Sequence, residues 1–140
     1  MKADDKLRTI KDMIKKHEGW RSKPYNDTEG ILTIGYGFNI AQGITREEGE
    51  ALLDIRLKKV FTDAILLDEF IYLDEIRQIV IIDMIYNMGL RGVKKFKNMR
   101  KAIKDGDWDR AADEMLDSRW ARQVGKRATK LAKIMKEGKL

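Results

Sequence analysis

Residues 18 to 38 read Glu18-Gly19-Trp20-Arg21-Ser22-Lys23-Pro24-Tyr25-Asn26-Asp27-Thr28-Glu29-Gly30-Ile31-Leu32-Thr33-Ile34-Gly35-Tyr36-Gly37-Phe38, and their texture differs from everything around them. Glu18 closes a run in which Leu7, Ile10, Met13 and Ile14 fall on one face of a helix whose other face is mostly charged. Gly19 supplies a natural stop, and Pro24 prevents the helix from continuing. Glu18 therefore stands at a helix end. Beyond it, Tyr25 to Gly30 is rich in turn formers and Ile31 to Ile34 in strand formers. The two flanks read as short strands joined at the Asp27 to Gly30 turn, with Gly35 and Gly37 bending the chain out of the second strand.

Outward from this β region the pattern is helical. Thr45-Arg46-Glu47-Glu48 has the form of a capping box, which predicts a helix from about Arg46 to Phe61 that buries Leu52, Leu53, Leu57 and Val60. Further helices are expected at 75–88, 97–104, 108–116 and 126–137, with Gly89, Gly92, Gly106 and Gly125 as punctuation. Ile76 to Met88 is apolar on nearly every face and reads as a buried central helix. The expected architecture is α+β, mainly α. It is a single domain over residues 1–140, with a small β lobe at 19–45, a connecting helix at 46–61 and a helical lobe at 62–140 on which the helix 4–18 packs. Two lobes imply a cleft.

The bulk properties narrow the function. The chain has 140 residues, 43% apolar and 37% charged, which describes an ordinary folded domain able to bury a core. It has no cysteine, so disulfides and thiolate chemistry are excluded, and its one histidine, His17, excludes a histidine-rich metal site. Neither metal nor other cofactor is expected. The start, Met1 to Lys6, lacks the apolar core of a secretory signal. The apolar stretch around Ile79 to Ile85 is broken by Asp83 and is far short of the ~20 residues of a spanning helix, so no stable membrane insertion is expected. A net charge of +6 points to an anionic partner, which nucleic acid, an acidic membrane or a bacterial wall could each supply.

Hydrolysis of a glycosidic bond needs an acid to protonate the leaving oxygen and a second carboxylate managing the water or nucleophile opposite. Glu18 and Asp27 meet that need if the hairpin folds back across the helix end, and Thr33 could hold the water beside Asp27. Among 23 acidic residues, a neighbouring pair of carboxylates is unremarkable by itself. The bland reading is a helix-end glutamate and a solvated turn aspartate.

The motif changes the balance. Glu18-Gly19-Trp20-Arg21, Tyr25-Asn26-Asp27-Thr28-Glu29-Gly30 and Thr33-Ile34-Gly35-Tyr36-Gly37 resemble the active-site segment of the T-even phage lysozyme family. There glutamate, aspartate and threonine stand at this same spacing of nine and then six residues, with tyrosine two before the aspartate and Gly-x-Gly after the threonine. The likeness continues through Leu73-Asp74-Glu75-Ile76-Arg77, Tyr86-Asn87-Met88-Gly89, Trp108-Asp109-Arg110-Ala111-Ala112 and Ser118-Arg119-Trp120. It implies a phage lysozyme-like two-lobed fold and a muramidase acting on bacterial peptidoglycan at the β-1,4 bond between N-acetylmuramic acid and N-acetylglucosamine, with inversion. By the same likeness Glu18 is the general acid, Asp27 and Thr33 manage the water, and Glu29, Leu32, Tyr36, Phe38, Asn87 and Arg127 contact substrate. Asn87 matches a cleft-lining amide, Trp120 a buried tryptophan next to it, and Arg127 a basic residue able to pair with the catalytic glutamate. Two departures stand out. Phe38 replaces a histidine that often follows the Gly-x-Gly, and the segment between Asn39 and Ile44 is much shorter than in the T-even enzyme.

An ordinary glutamate titrates near ~4.3, so a neutral-pH acid at position 18 is expected to be partly desolvated and raised. His17 points to another face of the helix and reads as structural. Asp83 reads as half of a structural pair with a nearby arginine, and Trp108 as packing. The competing class is a non-enzymatic basic helical protein that binds nucleic acid through Arg119, Arg122, Lys126, Arg127, Lys130 and Lys133. It explains the charge but leaves the glutamate, aspartate, threonine and glycine pattern unexplained, so no nucleic-acid partner is expected. A third reading, an inactive sugar-binding module, sits poorly with intact Glu18 and Asp27. The enzyme expected is a monomer made in the bacterial host cytoplasm, without a signal peptide, acting at the periplasmic cell wall after holin-dependent release.

Overall fold

Asp4 and Asp5 near its start and Lys15, Lys16 and His17 in its last turn complement the dipole of the first helix, α1 (Ala3–Glu18). The structure, a computed structural model, describes residues 1–140 and divides into two units, Met1–Glu50 and Ala51–Leu140. Helix α1 opens the first unit and ends at Gly19, whose amide donates back to the Lys15 carbonyl. Its apolar residues Leu7, Ile10, Met13 and Ile14 all remain exposed, and no residue of α1 is buried.

The chain then forms three antiparallel strands in the order β1 (Arg21–Asn26), β2 (Leu32–Gly35) and β3 (Phe38–Asn39). Tyr25 faces Thr33 and Asn26 faces Leu32 across the first pair; Thr33 faces Asn39 and Ile34 faces Phe38 across the second. Pro24 lies inside β1, where the register slips between Arg21 and Tyr25. Proline has no amide to donate, and β1 is an edge strand in which that loss is tolerated. The third strand, beyond the two expected, is only two residues long and too short to carry a periodic signal. Asn39 then caps a 3-10 turn over Ile40–Gln42, its Oδ1 accepting from the Gln42 amide at 3.3 Å.

Helix α2 (Arg46–Ala64) begins with the expected reciprocal cap. The Glu48 amide donates to Thr45 Oγ1 at 3.1 Å, and the Thr45 amide donates to Glu48 Oε1 at 2.9 Å. Those bonds from Thr45 hold the Glu48 carboxyl below the usual carboxylate range. Burial along α2 differs from expectation. Of Leu52, Leu53, Leu57 and Val60, only Val60 is buried, joined by Ala64, because only the last turns of α2 reach the core cluster of the second unit.

That unit is helical throughout: a 3-10 turn over Asp68–Tyr72, then α3 (Glu75–Lys94), α4 (Lys97–Lys104), α5 (Trp108–Leu116), α6 (Arg119–Val124) and α7 (Lys126–Glu137). Asp74, Asp107 and Ser118 cap α3, α5 and α6 by accepting from the amides of Arg77, Arg110 and Ala121. The core forms where helical spacing repeats apolar residues. Val80, Ile81, Met84 and Ile85 of α3 meet Met99, Ala102 and Ile103 of α4, Ala111, Ala112 and Met115 of α5, and Ala128, Leu131, Ala132 and Met135 of α7 in one cluster. Each large side chain buried this way contributes about 1.5–3 kcal/mol. Gly89, at φ +81 and ψ 164, interrupts α3 at the place where the pattern predicted its end. Helix α6 went unpredicted because six residues between Ser118 and Gly125 offer less than two turns of pattern. The fold is α+β, mainly α.

Candidate active site

Glu18 is the last residue of α1, and its side chain lies against the backbone of Gly37. A Cβ built on Gly37 would stand 2.6 Å from the Glu18 carboxyl carbon and 3.1 Å from its Cγ. Gly37 also has φ +73, a region that side-chain-bearing residues avoid. Position 37 is therefore restricted to glycine twice over, once by conformation and once by the carboxylate seated on it. Glu18 is exposed, contrary to the expected partial desolvation, because its neighbour at this helix end is a glycine with no side chain to cover it.

Asp27 is held by the turn it begins. Its Oδ1 accepts from the amides of Glu29 at 2.8 Å and Ile31 at 2.9 Å, while its own amide donates to the Ile31 carbonyl at 2.9 Å. One carboxylate oxygen is thus committed to the backbone, and Oδ2 is left without a partner from the chain. Thr33 is nearly buried at 4% exposure, and its hydroxyl donates to the same Ile31 carbonyl at 2.8 Å. Asp27 and Thr33 are brought together through one peptide group, that of Ile31. The hydroxyl proton of Thr33 is spent there, so toward solvent its oxygen can only accept. Ile31 did not stand out from the sequence as more than a strand former, whereas Gly35 and Gly37 were marked by the Gly-x-Gly of the motif without a role in seating Glu18.

The other residues expected in the site are placed as follows. Glu29 is exposed in the Asp27 turn, and Leu32 is exposed on β2 opposite Asn26. Tyr36 is half-buried between Trp20, at 4.9 Å between ring centroids, and the exposed Phe38 at 6.3 Å. Asn87 and Arg127 belong to the second unit. Asn87 Oδ1 accepts from Trp120 Nε1 at 2.7 Å, and Trp120 is buried. Arg127 is engaged by Asp83, its Nε donating to Asp83 Oδ1 at 2.8 Å. Asp83 thus has the arginine partner expected of it, and the Arg127 guanidinium is occupied in the same bond. An open groove of about 750 Å³ runs beside Trp120, with Phe96 and Met88 as apolar walls and Lys97, Glu114 and Arg119 as charges of both signs. No three histidine, aspartate or glutamate side chains are gathered in a way that could hold a metal ion.

The phage lysozyme family model matches residues 15–136. Probable T4-type lysozyme 1 of Dictyostelium discoideum is 31% identical over an alignment covering 94% of this chain and 96% of the relative. The endolysin of Acyrthosiphon pisum secondary endosymbiont phage 1 is 30% identical, with 82% of this chain and 80% of the relative covered. The pre-baseplate central spike protein Gp5 of Enterobacteria phage T4 is 28% identical over 98% of this chain, which corresponds to 29% of the spike protein.

Proposed function

The chain belongs to the phage lysozyme family, and from that premise we propose that it is a peptidoglycan hydrolase cleaving the β-1,4 bond between N-acetylmuramic acid and N-acetylglucosamine with inversion. The observation that carries this reading is the seating of Glu18 on Gly37, in the same small sheet whose turn presents Asp27 with one carboxylate oxygen free. Two carboxyl groups with different surroundings are what acid and base roles require.

In the proposed step Glu18 gives its proton to the glycosidic oxygen as the bond from that oxygen to the muramic acid C1 breaks. A water attacks C1 from the opposite face and gives a proton to Asp27 Oδ2, and the water's other hydrogen is directed at Thr33 Oγ1. Exchange with solvent restores both carboxyl groups. With Glu18 exposed in the free chain, exclusion of water around the proton is left to the bound glycan. The lysozyme and endolysin relatives support the cell wall as the place of action. No helix is long and apolar enough to cross a membrane.

The test is clearing of permeabilised Gram-negative cells by the wild type and by Glu18→Gln, followed by analysis of wall fragments. The expected outcome is lysis by the wild type only, with new reducing ends on N-acetylmuramic acid that appear first as the α anomer in proton NMR. Lysis by both proteins, or by neither, would remove Glu18 from the acid role. A β anomer first would replace inversion with a retaining route.

A further inference from the structure

Three aromatic rings stand together on the first unit. Trp20 and Tyr36 lie 4.9 Å apart with their planes inclined at 52°, and Tyr36 meets Phe38 edge-on at 6.3 Å. Aromatic clusters ordinarily gather to leave water, yet Trp20 keeps 62% and Phe38 59% of their surface exposed. Their support is backbone. A Cβ on Gly35 would stand 2.8 Å from the Phe38 ring and 3.5 Å from the Trp20 ring, so both rings rest on that glycine. Gly37, two residues further along the same turn, seats Glu18, and Trp20 itself follows Glu18 by two residues. The exposed rings and the candidate acid therefore share one tight turn, Gly35-Tyr36-Gly37.

We propose that Trp20 and Phe38 form a stacking platform that holds one pyranose ring of the glycan beside Glu18. This rests on the glycoside hydrolase reading above, adds Trp20 as a binding residue, and gives Phe38, already expected to contact substrate, a defined role beside it. A β-linked pyranose presents a flat face of C–H groups made slightly positive by the ring oxygens, which matches the negative face of an aromatic ring. Removing both faces from water adds the hydrophobic contribution. Tyr36, wedged between the other two rings, fixes the tilt of Trp20, so the platform is set before substrate arrives and little ordering is needed on binding. Three rings offer far less than the ~800 Å² that each partner gives to a stable protein interface. Their size and their continuity with the carboxylate fit a single sugar.

The experiment uses the inactive Glu18→Gln protein and the N-acetylglucosamine tetramer as probe, with binding followed by tryptophan fluorescence and by the indole N–H resonances. The Trp20 resonance, assigned by its loss in Trp20→Phe, is expected to shift on titration. Trp20→Ala is expected to weaken tetramer binding about tenfold and Phe38→Ala less, with Trp20→Phe recovering most of the loss. In the active protein, Trp20→Ala is expected to raise KM on soluble peptidoglycan fragments more than it lowers kcat. A folded Trp20→Ala protein that lyses cells and binds the tetramer as the parent does would overturn the platform and leave the hydrolase reading intact. A wild type that releases no reducing ends would overturn the hydrolase reading, and the platform with it. Should Trp20→Ala fail to fold by circular dichroism, the Trp20 resonance and the Trp20→Phe affinity decide, and an unmoved resonance at saturating tetramer removes the proposal.

Discussion

The carboxylate of Glu18 rests on the backbone of Gly37, in space that any side chain at position 37 would occupy. A helix end alone does not aim a glutamate, since its side chain has several rotamers to choose from. The glycine seat leaves room for the one observed. Gly37→Ala is expected to displace Glu18 and lower kcat about 100-fold, the scale that a 1 Å misplacement of a reacting group can cost. The platform residues themselves would remain, so tetramer affinity is expected to change much less than kcat. Near-normal turnover in a folded Gly37→Ala protein would show that Gly37 does not place the acid.

Thr33 and Asp27 answer to the same carbonyl, that of Ile31. Thr33→Ser keeps the hydroxyl and is expected to behave much as the wild type. Thr33→Val removes the donor from a nearly buried site, and the expected cost is about 1 kcal/mol of stability together with a loss of turnover. Asp27→Asn gives the opposite split. Its amide oxygen can still accept from Glu29 and Ile31, so the melting temperature is expected to hold while kcat falls by about 10²–10⁴-fold. Thermal melts and lysis rates on the three variants separate the roles. A Thr33→Val protein with normal activity and lowered stability would confine Thr33 to the turn.

Local signals carried most of the secondary structure. The Thr45–Glu48 box, the stop at Gly19, the break at Gly89 within α3 and the one at Gly106 just beyond α4 were all readable, because each is decided by residues within one helical turn. What pattern could not supply was which apolar residues are covered. Leu52 and Leu53 on α2 repeat at core spacing and are exposed, since periodicity defines a face and burial needs an element packed against it. The site divides in the same way. Glu18, Asp27 and Thr33 stood out through their resemblance to a family motif, since a carboxylate pair is unremarkable by itself, whereas the seat at Gly37 and the shared Ile31 carbonyl depend on how a turn closes in space.

Asp74 should set part of the acid sensitivity of the helical unit. It caps α3 and accepts from Arg77 Nη1 at 2.7 Å, while Arg77 Nε donates to the Met135 carbonyl at 2.6 Å and its guanidinium lies 4.1 Å over the Trp108 ring. Burial opposes ionisation of Asp74, but the Arg77 amide and guanidinium prevail and hold its carboxyl below the usual range. A depressed carboxyl means that the native state binds fewer protons than the unfolded one. Its contribution is therefore complete above the unfolded value of ~3.9 and is lost as pH falls through the lower folded value. Asp74→Asn is expected to melt lower than the wild type at neutral pH and to show a flatter fall in melting temperature below about pH 4. Parallel curves for the two proteins would assign the acid sensitivity elsewhere.

The fully buried Glu69 presents the opposite case, a carboxylate with no water to fall back on. Arg100 grips it with both arms, Nε to Oε1 at 2.6 Å and Nη2 to Oε2 at 3.1 Å, tying the 3-10 turn over Asp68–Tyr72 to α4. The hydrogen bond to Glu69 raises the Arg100 guanidinium above its ordinary range despite partial burial. Removing one partner strands the other charge, so Arg100→Met is expected to destabilise the protein by about 3–5 kcal/mol. Replacing both, as Glu69→Leu with Arg100→Met, removes the stranded charge as well and is expected to recover most of that loss. Urea unfolding of the two single variants and the double variant closes the cycle. A double variant no more stable than Arg100→Met would mean that the pair holds the turn on α4 by its geometry, not only by cancelling a charge.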